Sequence, residues 1–377
     1  MRNIVAALML GLFVAGCGGT QPLATPPTPA PQFPAATKAA LDGAVSQWLA
    51  TFKAPGVVVG IWTPGGSYVT AKGVSNVATG DPMGTGDHFR IGSITKTFTI
   101  TVLLQLADEK VINLDDPVSK YVSYVPNGRN ITLRQMANMT SGLFNYSEDP
   151  GFFKEITTNP NRVWTPRELI DLALAHEPYF APGKGIHYSN TNTVILGTII
   201  ESLTHEPIAQ VFQERIFTPL GLTNTTWPTT AAMPVPYAHG ITNQTASGKT
   251  GDATYINPSW AFTAGQMISN LNDLHMWVDS YTQGTLISPA MQQQRLQWIP
   301  KPGNPNIRYG LGIGYFNGWL GHTGELPGYN CGAFYLPSAD ATIVIEVNSD
   351  IGAGGQNPAP ALFQDLAKIV TPNDLPY

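Results

Sequence analysis

The stretch FRIGSITKTFTI, residues 89–100, decides how the rest of the chain is interpreted. It holds Ser93-Ile94-Thr95-Lys96 at the start of a segment whose apolar pattern predicts a helix over 92–109. Residues three apart share one helix face, so Ser93 and Lys96 meet in the first turn, where free N–H groups favour negative charge. A serine hydroxyl needs an adjacent base, and a lysine whose pKa is lowered by burial can serve. The pattern therefore predicts a nucleophile and its base.

Ser-x-x-Lys by itself is a weak motif, and the alternative is a helix-capping serine beside a surface lysine. Two observations favour the catalytic interpretation of Ser93 and Lys96. No other Ser-x-x-Lys occurs in the sequence, and no Gly-x-Ser-x-Gly elbow competes for the role of nucleophile.

The second element is a Tyr-x-Asn triplet, which can supply a proton relay and an amide that orients a substrate. Three copies occur: Tyr188-Ser189-Asn190, Tyr255-Ile256-Asn257 and Tyr315-Phe316-Asn317. The spacing within the triplet is the same in all three, so it does not show which one belongs to the site. Context favours Tyr188 and Asn190, which lie in a Pro/Gly-rich loop just before a predicted helix over 191–203. Tyr315 lies in a strand pattern, and Tyr255 lies in a polar loop of no clear type.

The third element is a basic residue followed by Thr-Gly, and the chain offers two matches. Lys249-Thr250-Gly251 has polar, glycine-rich flanks without the alternation of a strand. His322-Thr323-Gly324 follows an aromatic strand pattern and leads through Pro327-Gly328 into another apolar strand. We expect the second triplet to lie on an edge strand lining a cleft, and the first to be a chance match.

With these elements in order, the chain resembles the serine β-lactamase and penicillin-binding family, in the branch of class C β-lactamases, D-alanyl-D-alanine carboxypeptidases and related esterases. The resemblance covers roughly residues 38 to 370. It extends to the linking stretches INLDDPVSKYV (112–122), ITLRQMANMTSGL (131–143), PGKGIHYSN (182–190) and AGQMISNLNDL (264–274). The glutamate of the class A Ω-loop has no identifiable counterpart, so a class A mechanism is not expected.

The resemblance implies an acyl-enzyme mechanism and assigns a role to each motif. Ser93 is the nucleophile, and Lys96 and Tyr188 share the proton transfers. The substrate contacts it implies are Asn190, His322, Thr323 and Gly324, with an oxyanion held by the backbone N–H groups of Ser93 and Glu325. Neither a metal nor a cofactor is implied.

The implied function is that of a D-Ala-D-Ala carboxypeptidase-type serine hydrolase. The alternatives are an esterase on the same scaffold, a β-lactamase, and a catalytically silent module that binds peptidoglycan or penicillin. His322 stands where lysine is commoner in the family. A histidine near its reference pKa of about 6.5 is mostly neutral at pH 7, which makes carboxylate binding less secure and admits ester substrates. It can still donate a hydrogen bond to a substrate carboxylate, so peptides are not excluded, and the charge of His322 is left open.

The N-terminus predicts export and lipidation. Residues 1–16 have a basic start and a short apolar segment, and Val14-Ala15-Gly16-Cys17 resembles a bacterial lipobox. We expect Cys17 to carry the lipid that anchors the protein to the outer face of the bacterial cell membrane, or in the outer membrane or periplasm of a Gram-negative cell. The alternative is an ordinary signal peptide with an incidental cysteine. Residues 17–36 form a Pro-rich linker, and 37–377 form the hydrolase domain.

Composition and element order set the fold class. With 12% charged residues, a net charge of -5 and no basic patch, nucleic acid is not an expected partner. The partners expected are a small-molecule, peptide or ester substrate and, through Cys17, a membrane. Strand patterns at both ends enclose a helical block. This order predicts an α/β (α+β) fold with an antiparallel sheet built from both termini, flanked by helices, and an inserted α-rich subdomain. Cys331, left without a partner, is expected to be buried.

Overall fold

The computed structural model describes residues 31–376, and its centre is a nine-stranded antiparallel sheet. The strands of the chain are β1 (Gly56–Thr63), β2 (Gly66–Asn76), β3 (Asp81–Pro82), β4 (Phe89–Arg90), β5 (Ile241–Thr242), β6 (Gly251–Asp252), β7 (Ile268–Ser269), β8 (Ile299–Lys301), β9 (Asn304–Tyr309), β10 (Gly314–Phe316), β11 (Trp319–Leu326), β12 (Tyr329–Leu336) and β13 (Ala341–Val347). The large sheet runs in the order β3-β2-β1-β13-β12-β11-β10-β9-β8. Two small ribbons, β4 with β7 and β5 with β6, lie apart from it.

Helices cover both faces of this sheet. They are α1 (Ala35–Phe52), α2 (Thr95–Asp108), α3 (Leu133–Ala137), α4 (Pro150–Thr158), α5 (Pro166–Leu174), α6 (Asn190–Thr204), α7 (Ile208–Phe212), α8 (Thr218–Leu220), α9 (Leu271–Gln283), α10 (Pro289–Arg295) and α11 (Pro358–Val370). The terminal helices α1 and α11 pack together on one face, while α9 packs on the other and α2 packs against α6. The expected α+β architecture is therefore confirmed, since both ends of the chain build the sheet and a helical block separates them.

The centre of the sheet follows from continuous apolar runs. In β1 the run GVVVGI is buried throughout, and β13 (ATIVIEV) is buried along its whole length. Strands that are covered on both faces lack polar alternation, as these two do. Val57 of β1 pairs with Val347 of β13, which joins the N-terminal and C-terminal parts of the chain at the middle of the sheet.

The start of the folded chain lies slightly earlier than expected. Helix α1 begins at Ala35, and Pro31 accepts a hydrogen bond from the Ser67 N–H at 2.8 Å, so the end of the expected linker contacts β2. The expected signal peptide, lipidated Cys17 and most of the linker lie outside the described residues. No helix within residues 31–376 is long and apolar enough to cross a bilayer.

The expectation that His322-Thr323-Gly324 lies on an edge strand is wrong in its simple form. Strand β11 has β12 on one side and β10 on the other. The extra strands arise because Asn317 and Gly318, with φ of 50° and 101°, form a two-residue turn that folds β10 onto β11. That pairing stops at Gly321, however, so the part of β11 from His322 onward keeps one free edge.

Candidate active site

Ser93 lies in a short 3₁₀ turn, Gly92–Ile94, that runs directly into α2. The turn starts at Gly92 with φ of 49°, a left-handed conformation that glycine tolerates. A Cβ at Gly92 would lie 2.6 Å from the backbone nitrogen of Glu325, so a side chain there would collide with β11. The turn thus sets Ser93 at the start of a helix and directly against the sheet.

Lys96 is fully buried one turn after Ser93. Its Nζ lies 3.0 Å from Ser93 Oγ and 2.6 Å from the carbonyl oxygen of Ala264. No carboxylate of the described chain pairs with it, and burial lowers the pKa of Lys96 well below its usual value. A neutral amine can donate to Ala264 O and accept the Ser93 hydroxyl proton, which is the arrangement a general base requires.

Tyr188 lies next to both Ser93 and Lys96. The Lys96 Nζ lies 4.9 Å from the centroid of its ring. Although the residue as a whole is 37% exposed, desolvation of its hydroxyl raises the pKa of Tyr188, and a hydrogen bond with Ser93 opposes that rise only in part. Tyr188 is therefore a neutral phenol at rest, suited to passing a proton on.

Asn190 is the first residue of α6 and is held by the segment just before α4. Its backbone N–H donates to Asn145 Oδ1 at 3.1 Å, and its side-chain amide donates to Ser147 Oγ at 3.0 Å. It borders a cavity of about 220 Å³. The other residues along that cavity include Phe152, Phe153, Gln244, Trp260, Glu325 and Leu326. We call this cavity the amide-side pocket.

Strand β11 packs directly onto the nucleophile turn. A Cβ at Gly324 would lie 1.9 Å from the carbonyl oxygen of Ile91 and 3.3 Å from the Ser93 nitrogen. Together with the closeness of Gly92 to the Glu325 nitrogen, this places the backbone nitrogens of Ser93 and Glu325 near one another. These are the two groups that the sequence predicts for holding an oxyanion.

His322 is buried, and both of its ring nitrogens are occupied within the protein. Nδ1 lies 2.6 Å from the carbonyl oxygen of Thr323, which fixes the proton on Nδ1, and Nε2 lies 3.0 Å from the Tyr309 hydroxyl and accepts from it. Burial lowers the pKa of His322 to about 4, and the hydrogen bond with Thr323 offsets only part of that effect. His322 is therefore neutral at physiological pH and is not a cationic contact for a carboxylate. The next residue, Thr323, is partly exposed.

Tyr309 of β9 is a site residue that the sequence did not reveal. Its ring lies edge-on to Tyr188, with centroids 6.2 Å apart, and 5.8 Å from the ring of His322. Burial of the hydroxyl raises the pKa of Tyr309, so it remains a neutral donor. The available signal was the Asn317-Gly318 turn, which implies neighbouring strands alongside the His-Thr-Gly segment.

The competing motifs lie elsewhere. Lys249 and Thr250 are exposed in a loop, and Tyr255 bonds to Tyr237 through their hydroxyls. Tyr315 lies on β10 under the Arg308 guanidinium. The buried Cys331 is a free thiol. Within residues 31–376, no group of three or more His, Cys, Asp or Glu side chains is placed to hold a metal ion.

Comparison with known proteins identifies the family that carries this arrangement. The family model described as Beta-lactamase matches residues 41–366. The chain belongs to the beta-lactamase family. Within it, the chain is 28% identical over 283 residues to the Escherichia coli (strain K12) D-alanyl-D-alanine-carboxypeptidase/endopeptidase AmpH, covering 66% of this chain and 70% of AmpH. It is 26% identical over 261 residues to Bacillus subtilis PbpX, covering 69% of this chain but 62% of PbpX.

Solved structures of the beta-lactamase family have the same fold. A D-stereospecific amidohydrolase from Streptomyces sp. superposes with a TM-score of 0.80 and 32% identity, covering 89% of this chain and 98% of that one. The D-amino acid amidase of Ochrobactrum anthropi SV3, complexed with D-phenylalanine, gives a TM-score of 0.79 at 23% identity, with the same coverage. At 23% identity, the similarity to the D-amino acid amidase shows a shared fold only.

Proposed function

We propose that the protein is a serine amidohydrolase that cleaves amide or ester bonds through an acyl-enzyme on Ser93. The observation that carries this proposal is the buried Lys96, whose Nζ contacts Ser93 Oγ and lacks a carboxylate partner among residues 31–376. A structural lysine gains nothing from such a place, because burying an unpaired ammonium is costly. A lysine that acts as the base for the Ser93 hydroxyl, in contrast, requires a buried position without a carboxylate partner, because such a position keeps its amine neutral.

Acylation follows from these contacts. Ser93 Oγ attacks the carbonyl carbon while its proton passes to the Lys96 amine. The carbonyl oxygen becomes negative beside the backbone N–H groups of Ser93 and Glu325. The bond to the leaving nitrogen or oxygen then breaks, Tyr188 donates its hydroxyl proton to the leaving atom, and the Lys96 ammonium returns a proton to Tyr188.

Deacylation uses the same groups in reverse. Water gives one proton through Tyr188 to the Lys96 amine and attacks the ester carbonyl. The ester bond breaks, Ser93 Oγ regains its proton, and the acid product leaves. The raised pKa of Tyr188 makes it a relay in this step, with Lys96 as the final acceptor.

The substrate we favour carries a D-configured acyl part and an uncharged leaving group. The D-configuration is supported by the named activity of the Streptomyces relative at 32% identity. The uncharged leaving group is supported by the neutral His322, whose nitrogens are already bonded to Thr323 and Tyr309. A D-Ala-D-Ala carboxypeptidase is the second candidate, favoured by the likeness to AmpH and by the partial exposure of Thr323.

A substrate panel with the purified protein tests the proposal. The panel holds D-amino acid amides, a D-Ala-D-Ala peptide, nitrocefin, penicillin and p-nitrophenyl esters, with mass spectrometry of the acyl adduct. We expect adducts on Ser93, turnover of the amides first, and loss of both by at least about 10³-fold in Ser93→Ala and in Lys96→Ala. Absence of any adduct across the panel would refute catalysis and leave the silent binding module.

We also propose that this reaction takes place at the outer face of the cell membrane, through a lipid on Cys17. The support is the lipobox pattern alone. Replacing Cys17 with Ser should move the protein from the membrane to the soluble fraction, and the wild-type protein should carry two or more acyl chains by mass. A soluble wild-type protein without added mass would refute it.

A further inference from the structure

A second cavity adjoins Tyr188 and shares no lining residue with the amide-side pocket. Its volume is about 460 Å³. Six of its lining residues have large aliphatic or aromatic side chains, which we call the apolar wall: Met139, Ile186, Tyr188, Ile307, Tyr309 and Phe316. We call it the hairpin pocket, because β9 and β10 supply one side of it.

The chemistry of Ser93 fixes which part of a substrate each pocket can receive. The leaving atom must face the group that gives it a proton, and that group is the Tyr188 hydroxyl. Tyr188 lines the hairpin pocket, whereas Asn190 and Glu325 line the amide-side pocket. With the carbonyl oxygen at the Ser93 and Glu325 nitrogens, the acyl part lies toward Asn190 and the leaving group lies toward β9.

We propose that the hairpin pocket binds the leaving group and selects a bulky, apolar one, such as an aromatic amine or alcohol. The assignment rests on the proposed acyl-enzyme and adds the substrate class on its second side. Burying such a group against Met139, Ile186 and Ile307 removes apolar surface from water on both partners. A bare amide or methyl ester leaves the same wall exposed.

The polar residues nearby do not oppose this selection. His322, behind Tyr309, is neutral and internally bonded. Arg308 also borders the pocket, but its Nε donates to Pro305 O at 2.9 Å and its guanidinium lies 4.8 Å from the centroid of the Tyr315 ring, so it is engaged by its own hairpin. Lys301 is exposed on β8. His187, which also lines the pocket, pairs with Glu148, and the other lining side chains are hydrocarbon or aromatic.

The test compares two amides that share one D-amino acid, an N-methylamide and an N-benzylamide. In the wild-type protein, kcat/KM should favour the benzylamide by about tenfold or more. Ile307→Trp fills the pocket and should lower kcat/KM for the benzylamide about tenfold more than for the methylamide. Ile307→Ala removes part of the wall and should reduce the benzylamide preference by a smaller factor.

The control is Val77→Trp, which adds the same side chain at a 55% exposed position between β2 and β3, at the opposite end of the large sheet. It should leave the ratio of the two substrates unchanged. An equal effect of Ile307→Trp on both amides, or a wild-type protein without preference, overturns the pocket assignment while the acyl-enzyme stands. Failure to turn over either amide, with no adduct on Ser93, overturns both.

Discussion

Two segments of this chain consist of a basic residue followed by Thr-Gly, but one is exposed in a loop and the other is packed within the large sheet. Lys249-Thr250-Gly251 lies in a loop, and its glycine pairs only in the short ribbon of β5 and β6. His322-Thr323-Gly324 lies within the eight-residue strand β11, buried between β12 and the nucleophile turn. The space around the glycine of each triplet shows how different the two surroundings are. A Cβ at Gly251 would meet the Thr245 methyl at 3.4 Å, and one at Gly324 would meet Ile91 O at 1.9 Å.

The difference teaches that the triplet matters through backbone packing more than through its basic side chain. The basic residue of the β11 triplet is uncharged and turned inward, whereas the lysine of the loop triplet is exposed. What β11 supplies to the Ser93 site is a strand that approaches without a side chain in the way and carries the Glu325 N–H. Four matched experiments test this view.

The largest contrast should come from the glycines. Gly324→Ala forces β11 away from Ile91 and displaces the Glu325 N–H from the oxyanion position, so kcat/KM should fall about 100-fold or more. Gly251→Ala should stay within about twofold, because its added methyl makes ordinary contact. Steady-state kinetics checks this, with circular dichroism to verify folding. Equal losses in both variants would break the comparison.

The second-largest difference in activity is expected from replacing the basic residue of each triplet. His322→Ala leaves the Tyr309 hydroxyl without its acceptor and the Thr323 carbonyl without its donor, and loosens the wall beside Tyr188, so we expect a loss of about tenfold in kcat/KM. Lys249→Ala should remain near wild type. A loss for Lys249→Ala as large as that of Ser93→Ala would mean that the loop triplet, not β11, serves the site.

The charge of His322 should appear in the pH dependence of stability. Its folded pKa of about 4 lies below the reference value of 6.5, so the unfolded chain binds a proton that the folded chain excludes. The stability that the neutral His322 contributes is therefore fully present above pH 6.5. As the pH falls from 6.5 toward 4, the free energy of unfolding decreases by at most about 1.4 kcal/mol per pH unit. Denaturant unfolding of His322→Asn should lack that slope, whereas Lys249→Ala should retain it.

The smallest contrast concerns the carboxyl that follows each triplet. Burial, together with the nearby Asp350, raises the pKa of Glu325 to about 7, although the residue is exposed as a whole. Asp252 behaves oppositely: hydrogen bonds from Thr254 and His239 outweigh its burial and lower its pKa. As pH rises through about 7, the new charge on Glu325 disfavours the oxyanion held by its own N–H, so acylation should slow about twofold to fivefold.

Glu325→Gln should remove this decline, seen as a rising ratio of variant to wild-type rate above pH 7. Asp252→Asn should give a ratio that does not change between pH 6 and 8, since Asp252 is already ionised there. A constant ratio for Glu325→Gln would show that its carboxyl does not influence the reaction.

The sequence predicted what depends on local spacing. Ser93 and Lys96 are separated by one helical turn, and Tyr188 precedes a helix, so periodicity and loop composition sufficed to bring them into one hypothesis. Those residues meet in the structure, and their catalytic roles stay predictions until the Ser93 tests are done.

The features that the sequence missed depend on strand register. Tyr309 reaches the site because β9, β10 and β11 fold on one another, and this same folding puts strands beyond β11. The charge of His322 was left open because it is set by burial and by the Tyr309 hydroxyl, neither of which is visible from spacing. The exposed surroundings of Lys249, in contrast, were apparent from its polar flanks alone.

The pairing of β1 with β13 has a kinetic consequence. The middle of the sheet joins Val57 to Val347, and Trp48 of α1 donates from its indole N–H to the carbonyl of Pro358 in α11. Closing so long a segment costs entropy before the contact is rewarded, so proteins of this topology fold slowly. A chain still emerging from the ribosome can pair β1 with β2, but the other edge of β1 stays unpaired until β13 has been made. The nucleophile turn acquires its partner β11 just as late, so the Ser93 site is not assembled until synthesis is almost complete.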